Sequence, residues 1–123
     1  MTNLDPNNAA RFALLRATIQ AEAKLAAQEY HYTVNFGEDR GACGFAWVKI
    51  IPQHKGNTKA GKNERAILKA LGFEKSYDGK TFDLWNPAAF PVQSVDVLTA
   101  GARRAAAILR ENGFKAMAQS RLD

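Results

Sequence analysis

Apolar residues recur at steps of three and four along the first quarter of the chain. They are Phe12, Leu15, Ile19, Ala23, Ala26 and Tyr30. This spacing places one apolar stripe on a helix that runs to about Glu29 and must pack against another element. Asp5 followed by Pro6 predicts its start, because the carboxylate can cap free N–H groups and proline tolerates the first turn.

Shorter alternating segments, separated by turn residues, predict strands in the rest of the chain. The predicted strands cover residues 32–36, 45–51, 73–77, 81–85 and 114–118, and 119–123 is a tail. Two further helices are predicted at 63–71, ended by Gly72, and at 95–112, capped by Ser94 and ended by Gly113. Turns at 37–44 and 78–80 predict two hairpins, and 86–93 predicts a loop with two prolines.

The sequence contains a weak internal repeat that relates these elements to one another. The segments AILKALGFEK at 66–75 and AILRENGFKA at 107–116 share Ala, Ile, Leu, Gly and Phe in register, and each follows a strand that contains Phe and Trp. The unit of strand, loop, helix and strand therefore occurs twice. Two such units predict an α+β fold with a ferredoxin-like split β-α-β-β-α-β core, preceded by a helix and one extra strand.

The length of the chain fits one domain. At 123 residues the chain can bury enough surface for a single core without disulfides. We expect residues 1–123 to form that domain, with an N-terminal helix over 1–30 and the α+β core over 31–123.

Both tryptophans are expected on one face of the predicted sheet. Ala46, Val48 and Ile50 are suited to packing under helices, which turns Trp47 to the opposite face. The same alternation in the next hairpin places Trp85 on that face too. Two tryptophans there indicate a ligand platform, a dimer interface, or a floor covered by the N-terminal helix.

The chain is basic, because 17 Lys and Arg against 12 Asp and Glu give a net charge of +5. Such a charge attracts nucleic acid, nucleotides or acidic proteins without choosing among them. Cys43 is the only cysteine, which excludes an intrachain disulfide and favours a reducing compartment. Neither a signal-peptide pattern nor an apolar run of membrane-spanning length occurs, so we expect a cytoplasmic location without membrane contact.

The segment 56–63 resembles a phosphate-binding loop. It departs from the pattern GxxxxGK[ST] only at Asn63, where a hydroxyl would hold magnesium, so a nucleotide-hydrolysing site is not expected. Lys59 and Lys62 beside the start of a helix form either an anion-binding loop or a solvated lysine loop.

Arginines and amides supply further candidates. Arg103 and Arg104 either bind phosphate or carboxylate groups or keep an Ala-rich helix soluble. Asn86 and Gln93 bracket the proline-containing loop and either recognise the edge of a base or fix the loop.

Candidates for catalysis are few. The two histidines and Cys43 form no evident nucleophile and base pair, and the carboxylates form no acid and base pair. Metal-ligand spacing is also missing from the sequence. We therefore expect a protein that is not an enzyme and that has no cofactor and no metal.

A set of short motifs carries a resemblance. They are GFAWV at 44–48, WNP at 85–87, QS at 93–94, GA at 101–102 and SRLD at 120–123. In this order they resemble a family of small, mostly uncharacterised tailed-bacteriophage proteins, over about residues 44–123. The resemblance implies a phage accessory protein made early in a bacterial host, a class rich in inhibitors of host enzymes and of antiviral defence.

Three functions follow from these patterns. The first is sequestration of an immune signalling nucleotide, with the ligand bound between subunits of a homo-oligomer. Its expected residues are Trp47, Lys59, Lys62, Trp85, Asn86, Gln93, Arg103, Arg104 and Arg121. The second is a nucleic-acid-binding module that stacks bases on the sheet. The third is a protein that inhibits a host defence or DNA-processing complex through its helix stripe or tryptophans.

Overall fold

The computed structural model describes residues 9–123; the helix start predicted at Asp5 and Pro6 lies outside them. The described elements follow one another as three helices and four strands. They are α1 (Ala9–Thr33), β1 (Gly44–Ile50), α2 (Lys59–Ala70), β2 (Glu74–Lys75), β3 (Phe82–Trp85), α3 (Val95–Glu111) and β4 (Ala116–Leu122).

The four strands form one antiparallel sheet in the order β2-β3-β1-β4. This architecture confirms the α+β class. Ala46, Val48 and Ile50 of β1 are at most 1% exposed and join a core with the apolar faces of the helices. The alternate residues of β1 turn to the other face of the sheet, as the alternation predicts.

α1 packs against α3 and, less extensively, against α2. The two helices approach closely at Gly101, where an added Cβ would lie 3.1 Å from the carbonyl oxygen of Ala23 on α1 and 2.6 Å from the Cβ of Ala88 in the loop before α3. The described part of α1 therefore lies on the helical side of the sheet. The interpretation of α1 as a cover over the open face of the sheet is wrong; α1 borders Trp85 across a cavity at the end of β3.

The extra strand predicted at 32–36 is also wrong, and with it the first hairpin. The N–H groups of Val34 and Gly37 donate to the carbonyls of Tyr30 and His31, so the segment ends α1 in a turn and does not pair as a strand. The aromatic and β-branched residues of this segment favoured a strand, but β propensity yields to packing. His31 is only 7% exposed and lies edge-on to Phe90, so burial holds the last turn of α1 in place.

Besides α1, which ends at Thr33 rather than at about Glu29, three elements differ from the prediction by more than one residue. β4 extends through Leu122 over part of the expected tail, because all seven of its residues pair with β1. β2 has only two residues rather than the five expected. α2 begins at Lys59 rather than 63, because Thr58 caps it: the Thr58 hydroxyl accepts from the Gly61 N–H at 3.0 Å.

Candidate functional site

Aromatic side chains and one arginine form a layer on the open side of the sheet, here called the tryptophan face: Phe45, Trp47, Trp85 and Arg121. Trp47 and Trp85 lie directly opposite each other on β1 and β3. Their rings stack with centroids 4.6 Å apart and planes at 28°. Phe45 meets Trp85 edge-on at 6.5 Å, and the guanidinium of Arg121 lies 5.4 Å from the Phe45 ring.

The outer side of Trp85 has no neighbouring strand. β2 pairs only with Phe82 and Asp83, and Trp85 remains 48% exposed. The Asn86 N–H donates to the Ala46 carbonyl, so the alternation of an antiparallel ladder directs the N–H and C=O of Trp85 away from β1. One ring face and two backbone groups of Trp85 are therefore at a free sheet edge.

A cavity of about 670 Å³ lies between α1 and the segment 84–89, and we call it the α1–β3 cavity. Its residues are Arg16, Ala17, Ile19, Gln20, Ala21, Lys24, Leu71, Leu84, Trp85, Asn86, Pro87, Ala88 and Ala89. None of them is acidic. Neither Arg16 nor Lys24 forms an ion pair within residues 9–123. The cavity is lined mainly by apolar residues together with two cations, and its size suits a small ligand.

A tight turn holds Asn86 at this cavity. Asn86 has φ 43° and Ala89 has φ 50°, and the Asn86 carbonyl accepts from the Ala89 N–H at 3.0 Å. Asparagine tolerates this left-handed conformation better than most residues. The side-chain amide of Asn86 is exposed and forms no hydrogen bond with the described residues, so a ligand can reach it.

Gln93 stabilises the loop rather than joining the cavity. Its N–H donates to the carboxylate of Asp39, and its amide oxygen lies 3.6 Å from the Cys43 sulfur. The same carboxylate accepts from the N–H of Ser94, the residue before α3. The sequence predicts that Gln93 either recognises the edge of a base or fixes the loop, and these contacts favour the second role.

The arginines of α3 do not reach the tryptophan face. Arg103 and Arg104 are exposed on α3, whose buried side packs on the sheet. Arg104 donates to the carboxylate of Glu22 on α1 at 2.8 Å, and this hydrogen bond raises the pKa of Arg104 above its usual value. Arg104 therefore connects two helices, while Arg103 stays on the surface away from the cavity.

Lys59 and Lys62 occupy the first turn of α2. The N–H groups of the loop before this helix already bind a carboxylate of the chain itself. The carboxylate of Glu64, 1% exposed, accepts from the N–H groups of Gln53 at 2.8 Å and His54 at 3.0 Å. An added Cβ on Gly61 would lie 1.8 Å from the Lys55 carbonyl oxygen. The segment is thus a closed turn around an internal carboxylate rather than a cradle for phosphate.

The structure brings together Trp47, Trp85 and Arg121 on the sheet, with Asn86 beside them, and separates the lysines of α2 and the arginines of α3 from this group. Sequence reasoning missed Arg16 and Lys24. Their signal is present in the sequence, because Arg16, Gln20 and Lys24 recur every four residues and so share one side of α1.

Lys49 lies on β1 next to the tryptophan face, and its charge is paired. The Lys49 ammonium is 3.0 Å from the Asp83 carboxylate and also donates to Thr81. The indole N–H of Trp47 is buried and has no hydrogen-bond partner among the described residues. The face is therefore mainly apolar, with Arg121 as its exposed cation.

Within residues 9–123 we find no group of three or more His, Cys, Asp or Glu residues placed to hold a metal ion. In the same part of the chain, no helix has the length and apolar character needed to cross a membrane. Comparison with protein-family models, curated proteins and solved structures finds no match to this chain.

Proposed function

We propose that this protein is a non-enzymatic binding protein for a nucleotide-type anionic ligand, which it holds in the α1–β3 cavity. One observation carries the proposal: an aromatic residue, a side-chain amide and two cations that form no ion pair within residues 9–123 line a single cavity, and none of the described residues that line it is acidic. These are Trp85, Asn86, Arg16 and Lys24. Bases, their polar edges and phosphates require groups of these three kinds.

The base stacks on the outer ring face of Trp85, whose inner face is occupied by Trp47. Its polar edge bonds to the Asn86 amide or to the free backbone groups of Trp85. The phosphate lies against Arg16 and Lys24. Stacking contributes about 1–3 kcal/mol and each charge-assisted hydrogen bond about 1.5–3 kcal/mol, so micromolar affinity, about 8 kcal/mol, requires base and phosphate contacts together.

A small ligand fits these features better than a long single strand lying on the tryptophan face. Along that face Lys49 is neutralised by Asp83, which leaves Arg121 to attract a phosphate backbone. A protein partner docking there would use the exposed rings of Phe45 and Trp85. Both remain alternatives, and the experiment below separates them.

Two finer proposals accompany this function. The order β1-α2-β2-β3-α3-β4, with the sheet order β2-β3-β1-β4, supports a ferredoxin-like core. The resemblance to tailed-phage proteins supports a cytoplasmic counter-defence role, the sequestration of a host signalling nucleotide. For a homo-oligomer, the tryptophan face and the free edge of β4 are the surfaces that we propose for contact between copies.

Tryptophan fluorescence with AMP as the probe tests the proposal. The chain has two tryptophans and both belong to the stack, so a base that stacks on Trp85 changes the emission directly. Titration calorimetry gives the affinity. We expect Trp85→Leu and Arg16→Gln each to weaken AMP binding about tenfold, which corresponds to the loss of about 1.4 kcal/mol.

Arg103→Gln is the matched control, because it removes the same charge from an exposed site that does not line the cavity. It is expected to leave the affinity unchanged. The proposal is overturned if wild-type protein does not bind AMP, or if Arg103→Gln weakens binding as much as Arg16→Gln. Binding of oligothymidylate alone, with steep salt dependence, would instead support the nucleic-acid alternative.

A further inference from the structure

A second cavity of about 640 Å³ adjoins the first on the β2 side of the sheet, and we call it the edge cavity. It is lined by Arg16, Arg65, Lys69, Gly72, Phe73, Glu74, Lys75 and Phe82. Arg16 lines both cavities. Its guanidinium lies over Gly72, where an added Cβ would be 3.3 Å from Nη2. A side chain at position 72 would therefore crowd the residue that joins the two cavities.

The cations of the edge cavity differ in how far they are already neutralised. Arg65 donates to the carbonyls of His54 and Gly61 at 3.0 Å each and pairs with Glu64 at 3.8 Å. Arg65 therefore contributes little free charge. Arg16, Lys69 and Lys75 form no ion pair with any described residue.

The balance of charge in the edge cavity remains positive. The three unpaired cations face one carboxylate, that of Glu74. They also face the C-terminus of α2, whose dipole is equivalent to about half a negative charge. The remaining charge is about +1.5, close to what one phosphate group neutralises. Phe73 and Phe82 are 3% and 7% exposed. Apolar surface beside a charged site strengthens the attraction between its cations and a bound anion.

We infer that the edge cavity is a second phosphate-binding site, and that the ligand class is a dinucleotide or short oligonucleotide with two phosphate-bearing units. This inference rests on the proposed function, because the first unit occupies the α1–β3 cavity. Arg16 contacts the linkage between the units, and Lys69 and Lys75 bind the phosphate of the second.

Calorimetry with two probes tests the inference: AMP, with one phosphate, and the 5′-phosphorylated dinucleotide pApA, with two. Wild-type protein is expected to bind pApA at least tenfold more tightly than AMP. The double variant Lys69→Gln/Lys75→Gln is expected to lose that advantage, about tenfold in affinity for pApA, and to bind AMP within about twofold of wild type.

Lys59→Gln/Lys62→Gln is the control, because it removes two exposed lysines from the other end of the same helix, outside both cavities. It is expected to bind both probes like wild type. Equal weakening of pApA by the two double variants would show a general charge effect and overturn the inference. So would equal wild-type affinity for AMP and pApA, while AMP binding that depends on Trp85 would still support the proposed function. Failure of wild type to bind either probe would overturn both.

Discussion

The substitution Glu64→Gln tests whether the α2 loop is closed by an internal anion. Glu64 is 1% exposed, and its two carboxylate oxygens accept from the N–H groups of Gln53 and His54. Glutamine has nearly the same shape but presents one NH₂ group in place of an oxygen. One of the two backbone donors then faces another donor and loses its partner.

The expected cost follows from these contacts. A hydrogen bond to a charged acceptor contributes about 1.5–3 kcal/mol, and a neutral acceptor weakens the remaining bond, so we expect a loss of about 2–3 kcal/mol. The unfolding entropy is about 2.1 cal/mol/K per residue over 123 residues. A loss of 1 kcal/mol in the free energy of unfolding therefore lowers Tm by about 4 °C. Glu64→Gln should therefore lower Tm by about 8–12 °C.

Thermal unfolding and amide hydrogen exchange measure this effect. The exchange of the Gln53 and His54 amides should accelerate more than that of amides in β1. Glu29→Gln, at an exposed position of α1, should stay within about 0.5 kcal/mol of wild type. In Glu64→Ala, which removes the carboxylate outright, acetate should restore part of the lost stability by occupying its place.

A wild-type Tm in Glu64→Gln would contradict a stabilising role for the Glu64 carboxylate. It would mean that the cost of removing the carboxylate from water cancels its hydrogen bonds. In that case the closed turn would depend on the Thr58 cap and on Gly61, and the carboxylate of Glu64 would not be what closes the loop beside Lys59 and Lys62.

Two further predictions concern surface charges. Arg104→Gln should leave AMP binding unchanged and lower stability only slightly by chemical denaturation, because its pair with Glu22 is solvent-exposed; a loss of AMP affinity would contradict the placement of Arg104. In the β2–β3 turn, hydrogen bonds from Ser76 and the Lys80 N–H lower the pKa of Asp78 below 3.8. A lowered folded-state pKa stabilises the fold above pH 3.8, and this contribution is lost as the pH falls through the folded-state value. Asp78→Asn should therefore destabilise the protein slightly at pH 7, with a difference from wild type that shrinks in acid; a constant difference from pH 7 to pH 2.5 would contradict the shift.

Much of the fold follows from local patterns. The alternation in β1 predicts which side chains are buried, and the Asp78–Gly79 turn predicts the second hairpin, which β2 and β3 form. The helix ends at Gly72 and Gly113 also follow, because both glycines adopt positive φ. These features depend on residues close together in sequence.

The predictions that failed depend on partners distant in sequence. Residues 32–36 have strand propensity, but burial of His31 against Phe90 holds the last turn of α1 in place. Residues 32 and 33 are therefore helical, and residues 34–36 form a turn. The polar end of β4 looks like a tail, yet β1 supplies a hydrogen-bonding partner along its whole length. Local preference therefore decided neither segment.

The same distinction explains the candidate site. Trp47 and Trp85 could be placed on one face because strand alternation is local, and their direct stacking follows once the register is known. The choice of cations could not be made in this way. Arg104 resembles a phosphate ligand in sequence, but its charge is used by Glu22, 82 residues away. Arg16 and Lys24 look like ordinary surface residues of a helix, and they gain their importance only because the crossing at Gly101 sets α1 beside the end of β3. Which charges are free to bind a ligand is thus a property of tertiary packing, and it is the property that the substitutions of Arg16 and Arg103 compare.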